Sequence, residues 1–381
     1  MPPSGAALSE TLTVKGDLPL DRPIDTGQRL LIISNDQSWL THGFHRYPAK
    51  FFPELPRWAI RKYSSEWETV LDPMAGSGTV NLESLLNQRH SIAIDVDPFA
   101  RLLAKVKTTA LDADVLERAY DTIAASLDSF AKGGAPARRA ALEAVPEFPY
   151  RETWFQPFIL EEIGAVRHAI QRVQRSLPRT LVGTGGAETQ DYVDFFRICL
   201  SSIVRDVSNA DNNCTRTVVR KRLNKRIVPG MALRLFGRVA GVNIQRMRAF
   251  SELRPRHVRV TIPPKGDARR LPVGDASVDV AVTSPPYINA VDYPRTHQLE
   301  MYLLDLTPPG QPLAEAKRAH IGTEVVRAAD YKELHRYGLP ELDSQVERFY
   351  AIDKRRAYIV HRYFVDMETN FREVRRALKP G

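Results

Sequence analysis

The residues best equipped for chemistry form one short run, Thr283-Ser284-Pro285-Pro286-Tyr287, at the end of the valine-rich segment Ser277 to Val282. An apolar run of this kind predicts a buried strand. Two prolines remove two backbone donors and fix two φ angles, so the strand must stop in a stiff loop. That loop offers the Ser284 hydroxyl, carbonyls with no ladder partner around Pro285 and Pro286, and the aromatic face of Tyr287. Such a set can accept hydrogen bonds from a planar amino group while a ring stacks on the plane that carries it. Read alone, the same four residues also suit a proline-rich exit turn after a core strand.

A second set lies far upstream. Thr69-Val70-Leu71-Asp72 predicts a strand ending in an acid, Pro73 to Thr79 holds Gly76-Ser77-Gly78, and Val80 to Gln88 predicts a helix. A glycine turn between strand and helix lets a ligand approach the backbone and the helix N-terminus. No Lys follows the glycines, so this is not a phosphate-binding Walker loop. The next strand, Ser91 to Ile94, ends in Asp95-Val96-Asp97-Pro98. An acid at that tip commonly takes ribose hydroxyls, so turn and acid together imply an adenosine-containing cofactor. Gly266-Asp267-Ala268 puts another acid at a strand end, and Asp292 to His297 adds polar groups beside Tyr287. His42 and His45 lack further His or Cys nearby, so we expect them to serve structure or substrate rather than a metal.

The elements that must position these groups are strands whose carboxyl ends meet. That pattern predicts an open, doubly wound α/β sheet. Residues 1–26 read as a loose lead-in, Arg29 to Ser34 as a short strand, and Pro53 as the start of a helix with Leu55, Trp58 and Ile60 on its apolar face. After the helix Phe99 to Thr109, nearly 150 residues carry few strand signals, too many for a loop. We therefore expect a mostly helical inserted lobe over 111–255, with helices at Leu111–Phe130, Trp154–Val173 and Tyr192–Val207 and a linker from Gly133 to Pro149. The strand His257 to Ile262 resumes the sheet, and Glu341 to Leu378 predicts a long Arg-rich helical region. This divides the chain into a lead-in at 1–40, a cofactor part at 41–110, the lobe, and a catalytic part at 256–381.

Composition narrows the class. The 381 residues are 43% hydrophobic and 26% charged, ordinary for a soluble globular chain large enough for one big core and an extra lobe. No apolar run reaches about 18 residues, and Met1 to Leu20 lacks an export signal, so neither a membrane span nor secretion is expected. Cys199 and Cys214 are too few for a disulfide or zinc framework and suit a reducing cytoplasm. The net charge of +9 is uneven: Ser201 to Arg270 holds 17 Lys/Arg against 4 Asp/Glu, leaving the remainder acidic on balance. A basic block of that density is the footprint of a polyanion binder, with a solvated helical face as the plain alternative. Arg216, Arg220, Lys221, Arg222, Lys225 and Arg226 are its candidate phosphate contacts.

Asp72-Pro73-Met74-Ala75-Gly76-Ser77-Gly78-Thr79, Asp95-Val96-Asp97-Pro98, Gly266-Asp267-Ala268 and Thr283 to Tyr287 together resemble the DNA amino-methyltransferases, S-adenosylmethionine-dependent enzymes that modify cytosine N4 or adenine N6. His45 to Phe51 looks like that family's upstream cofactor element. The resemblance covers about half the chain. It implies a Rossmann-like methyltransferase sheet carrying the helical insertion. It also implies roles: Asp72, Pro73, Gly76, Gly78 and Thr79 at the methionine end of the cofactor, Asp95 at the ribose and Asp267 at the adenine amino group. Lys50 and Phe51 would close that pocket. Ser284 and the Pro285 carbonyl, with Pro286 stiffening the loop, would bind the target amino group, and Tyr287 would stack on the base.

A sulfonium methyl is already activated, so such chemistry needs no metal and no nucleophilic side chain. Cytosine carbon-5 methylation would need a thiolate, typically in a Pro-Cys pair, and neither cysteine has a proline neighbour. Serine at the first motif position favours cytosine N4, since adenine enzymes of the family more often carry Asp or Asn there. Double-stranded DNA is the expected partner, with no membrane. An adenine-N6 enzyme, an RNA or protein amino-methyltransferase, and a catalytically silent DNA-binding subunit are the competing readings. A restriction or phage-defence partner is compatible with the resemblance. Lys379-Pro380-Gly381 stops where a following strand is expected, so a second chain or C-terminal segment would complete the sheet. The long insertion departs from the family pattern, and its part in reading DNA is an expectation drawn from its charge.

Overall fold

The computed structural model of the protein describes residues 12–21, 29–33, 37–177, 187–220, 225–288, 291–307 and 313–380. Within the expected lead-in lies a strand, β1 (Leu12–Lys15), which pairs in parallel with β2 (Leu30–Ile33) in a small sheet of its own. Helix α1 (Glu54–Tyr63) then leads into β3 (Thr69–Asp72), α2 (Thr79–Leu86), β4 (His90–Ala93) and α3 (Pro98–Thr108). Asp97 begins α3 by accepting the Phe99 amide, with Pro98 in the first turn where its missing N–H costs nothing.

The expected lobe is helical. It contains α4 (Ala113–Lys132), α5 (Ala135–Glu143), α6 (Arg151–Trp154), α7 (Pro157–Ser176), α8 (Thr189–Val207) and α9 (Met231–Leu253). Two readings need correcting. The stretch expected as a linker holds α5, because Pro136 sits in a first turn and the alanines that follow favour helix. The 23-residue α9 went unread because its arginines obscured an apolar stripe, of which Phe236, Ala240, Met247 and Phe250 are buried.

Strands β5 (Val260–Thr261) and β6 (Val280–Ala281) complete a parallel sheet in the order β5-β4-β3-β6. Both are shorter than the sequence suggests. Around β6, backbone bonds from Asp279 to Thr69 (3.0 Å) and from Val282 to Leu71 (2.9 Å) extend the pairing. Val278 is buried while Val280 and Ala281 are half-buried. The order reverses between β3 and β6, and such a switch point leaves a crevice beyond the strands' carboxyl ends.

Past that crevice come α10 (Tyr293–Thr296), α11 (Gln298–Leu303), α12 (Leu313–Ala319), α13 (Pro340–Ile352) and α14 (Lys354–Ala377). The expected Arg-rich helix is thus two, divided at Asp353, which caps α14 by accepting the Arg356 amide. After α14 the chain returns to the sheet: Leu378 bridges Val278 in parallel, and Lys379 donates to the Val278 carbonyl at 2.9 Å.

The helical segment is continuous with the sheet's core. Phe195 and Phe196 of α8 and Phe236 and Phe250 of α9 share one apolar cluster with Leu82 of α2, Phe99 and Leu103 of α3, and Leu299 of α11. A second cluster, Leu71, Ile94, Leu271, Val278 and Ala377, seats α14 against the sheet. Burying α2 and α3 under α8 and α9 stiffens the two elements that start at the glycine turn and at Asp97.

Candidate functional site

Where β3 and β6 end, one cleft collects residues from seven separate stretches. About 840 Å³ of open space is lined by Tyr47, Lys50 and Phe51, by Asp72 to Ser77 and Thr79, by Asp95 to Asp97, by Asp267 and Ala268, and by Ser284 and Pro286. Tyr293, His320 and Ile321 close it from the segment after the Pro-Pro loop.

The glycine turn is held from several sides. Gly76 (φ +49°) and Gly78 (φ +72°) take left-handed conformations that L side chains rarely adopt. The Gly76 amide donates to Asp95 Oδ2 at 2.7 Å, and the Asp97 amide to Asp95 Oδ1 at 2.8 Å. Beneath the turn, the fully buried Lys107 donates to the Ser77 carbonyl at 2.7 Å. Burial pushes this amine well below its ordinary pKa, with the charge of Lys50 adding to the effect. Gly78 does not line the cleft. A Cβ there would lie 2.8 Å from Ala104 Cβ and 2.9 Å from its Cα, so this glycine lets α2 and α3 pack together.

Asp72 joins the two motifs. The Thr283 hydroxyl donates to Asp72 Oδ1 at 2.8 Å, tying the base of the glycine turn to the residue before Ser284. Burial pushes the Asp72 carboxyl up to about 7, against the pull of the Thr283 and Met74 bonds and with some help from Asp95. Asp95 is raised as well, by burial and then by the charge of Asp97.

Asp267 sits at the rim in a chelate. Arg269 reaches its Oδ1 through Nε at 2.9 Å and its Oδ2 through a terminal nitrogen at 2.8 Å. Partial burial raises the Asp267 carboxyl, but the bonds and charge of Arg269 outweigh it and hold the group below its ordinary value. Asn370 of α14 fixes the same turn by donating to the Ala268 carbonyl at 2.8 Å. Lys50 lines the cleft while donating to the Gln37 carbonyl at 2.8 Å.

Ser284 is exposed, and its hydroxyl has no hydrogen-bond partner among the described residues. Pro285 and Tyr287 do not line the cleft: Pro285 is exposed, and the Tyr287 side chain is 63% exposed. The loop is gripped from behind. Tyr363 of α14 donates its phenol to the Pro286 carbonyl at 3.0 Å, and a Cβ on Gly322 would sit 3.0 Å from the Tyr287 carbonyl.

Several contributors escaped the sequence reading. Tyr47 stacks on His297 (4.9 Å between centroids) and on Tyr293 (6.0 Å), forming an aromatic wall. Tyr293 in turn stacks on His320 at 6.4 Å. Tyr47 lay inside a segment already singled out, but His320 and Tyr363 sit in stretches with no motif. Their importance depends on where the chain returns. His42 serves structure: its Nε2 lies 2.8 Å from Glu83 Oε1, and burial pushes its imidazole down to about 4.

The basic block is largely spent on the fold. Arg216 pairs with Glu324 at 2.8 Å, and Arg220 with the buried Asp211 at 3.0 Å. Lys225 donates to the carbonyls of Arg205 and Ala210 and to Asn212 Oδ1. Lys221 and Arg222 lie outside the described residues. Arg226 is exposed and, unlike the exposed Arg220, has no ion-pair partner among the described residues.

Asp95 and Asp97 at one end of the cleft and Asp72 at its foot supply acceptor oxygens suited to a ligand with a positive charge and hydroxyls, while Arg269 already balances Asp267. The left-handed turn gives close backbone approach, and a Cβ on Gly76 would meet the Tyr47 ring at 3.3 Å. Asp97 Oδ2 and His320 Nε2 are buried with no hydrogen-bond partner among the described residues. A sulfonium nucleoside, cationic at one end and rich in hydroxyls at the other, fits this donor and acceptor set. Among the described residues no helix is long and apolar enough to cross a membrane.

A family model described as DNA methylase matches residues 25–105, the span that carries the glycine turn and Asp95. The chain is 24% identical over 374 residues to the Type II methyltransferase M.MvaI of Kocuria varians, covering 93% of this chain and 78% of that one. It is 22% identical over 390 residues to the Type II methyltransferase M.BsoBI of Geobacillus stearothermophilus, covering 93% and 75%. Over 88 residues it is 31% identical to the Type II methyltransferase M.MjaII of Methanocaldococcus jannaschii, covering 23% and 17%. No solved structure matches. The motif set, the parallel sheet and these relatives agree, and together they support an S-adenosylmethionine-dependent DNA amino-methyltransferase.

Proposed function

We propose that the protein methylates the N4 amino group of cytosine in duplex DNA at a specific site, using S-adenosylmethionine. The observation that supports it best is the Thr283–Asp72 bond, which makes the glycine turn and the Ser284 loop two walls of one cleft. When bound, S-adenosylmethionine supplies a methyl group already activated by its sulfonium. The chain's own residues bind and orient. Asp72, Pro73, Gly76 and Thr79 would hold the methionine end, Asp95 the ribose side and Asp267 the adenine edge, with Lys50 and Phe51 beside them. Gly78 supports the turn from outside the cleft.

On the other wall the unpartnered Ser284 hydroxyl and the Pro285 carbonyl would accept the hydrogens of the target amino group. That draws the nitrogen lone pair out of conjugation and aims it into the cleft. Tyr363 occupies the Pro286 carbonyl and so keeps that acceptor out of the reaction. Tyr287, exposed at the mouth, has a free face for stacking. Positioning and fixed acceptors then supply the rate enhancement. A base reaches such a recess only by leaving the duplex. An uncharged serine in place of a carboxylate or amide favours cytosine over adenine.

The test is tritium-methyl labelling of plasmid DNA followed by nucleoside analysis, with structured RNA and protein as parallel acceptors. Label in N4-methylcytosine is expected. Label in N6-methyladenine would overturn the choice of base, and label in RNA or protein alone would overturn the DNA substrate.

A further inference from the structure

His320 lies one residue past α12 and turns back over the cleft. Its Nδ1 is 2.8 Å from the Ala316 carbonyl. A carbonyl only accepts, so Nδ1 carries the hydrogen, and in the neutral ring Nε2 is a bare acceptor. That nitrogen is buried, has no hydrogen-bond partner among the described residues, and lies 3.9 Å from Asp97 Oδ2. Asp97 Oδ2 is in the same position: buried and unpartnered, while Oδ1 caps α3 through the Phe99 amide at 2.8 Å. Both residues line the cleft. Two acceptors cannot satisfy each other, and 3.9 Å is too long for a hydrogen bond. Buried polar atoms are rarely left unpaired, so a group with two neighbouring O–H donors belongs between them.

Asp95 is a weaker candidate for that group on its own. Each of its oxygens already takes a backbone amide, from Gly76 and from Asp97, so part of its capacity holds the glycine turn in shape. The vicinal diol of a ribose has the required two donors on adjacent atoms.

We propose that Asp97 and His320 form an acceptor pair for the ribose diol of the cofactor. This rests on the S-adenosylmethionine site proposed above. It also places a cofactor contact two residues before Gly322, which backs the Tyr287 carbonyl, so the segment that reads the ribose also braces the base-binding loop.

The experiment is calorimetric titration of the full chain with S-adenosylhomocysteine and with its 2′-deoxy and 3′-deoxy ribose analogues. His320→Phe keeps a ring against Tyr293 and removes both nitrogens. We expect it to weaken S-adenosylhomocysteine about tenfold, the loss for one buried hydrogen bond, and to change the affinity of one deoxy analogue less than about twofold, because that ligand never made the bond. Asp97→Asn is the second variant. It keeps the capping oxygen, turns the outer acceptor into a donor, and should show the same pattern on the other analogue. Equal losses on all three ligands, or no loss on any, would overturn the acceptor pair while leaving the cofactor site intact. A wild-type chain that binds none of the ligands would overturn the site itself.

Discussion

Asp72 lies at the foot of the cleft, buried, and with a carboxyl raised to about 7 by that burial. A raised carboxyl binds its proton more readily in the folded chain than in the unfolded one. Folding therefore takes up a proton between about pH 4 and 7, and stability falls as pH rises through that window. Glu300, also buried and pushed up to about 7, adds a second contribution of the same sign. Asp72→Asn keeps an acceptor for Thr283 and removes one contribution. We expect its melting temperature to exceed the wild type's at pH 8 and to match it only below about pH 4, a gap of at most about 4 kcal/mol in stability. The same ionisation favours a cationic ligand, so cofactor affinity in the wild type should rise with pH through about 7 while thermal stability declines. Calorimetry across pH 5.5 to 8.5 measures both trends, and parallel trends would remove Asp72 from the ligand's surroundings.

At the scale of elements, the cleft exists because turns and helices arrive from opposite ends of the chain. Gly78 is where α2 meets α3, with a left-handed φ and Ala104 already at contact distance. Gly78→Ala should cost about 2–3 kcal/mol in urea unfolding, combining backbone strain with overpacking against α3. Gly76→Ala meets only the edge of the Tyr47 ring, and should cost less stability and more cofactor affinity. A larger stability loss at Gly76 would reverse this reading. Helix α14 braces the other wall through Tyr363. Tyr363→Phe deletes one hydrogen bond to the Pro286 carbonyl and leaves the cofactor wall untouched. The expected result is a turnover number lower by about tenfold with an unchanged cofactor dissociation constant, since misplacement of the loop affects only the acceptor's alignment. A change in cofactor binding instead would show that the helix acts on the whole cleft.

For the whole molecule, the question is where the positive charge goes. Ion pairs and carbonyl contacts absorb Arg216, Arg220 and Lys225, and Arg226 faces solvent. Arg220→Ala leaves Asp211 buried without its partner, so it should destabilise the fold without altering the salt dependence of DNA affinity. Arg226→Ala should leave stability unchanged and lower the slope of log affinity against log salt by about one. Swapped outcomes would return the ion-paired arginines to the DNA interface.

What the sequence determined by itself is local and chemical. A valine run stopped by two prolines, a glycine turn after an acid, and a second acid one strand later specify strand ends through φ restriction, missing donors and side-chain type, which are properties of adjacent residues. The same locality explains the misreadings: the stripe on α9 was crowded by arginines whose partners lie far away in sequence, and α5 was hidden by flanking glycines and prolines. Only the tertiary structure decided that Thr283 would reach Asp72 across 211 positions, that Gly78 would serve packing, and that His320 and Tyr363 would return to the cleft. Those outcomes depend on strand order and on a core shared between sheet and helices. Both are fixed by burial summed over the whole chain, a quantity that no short window of residues contains.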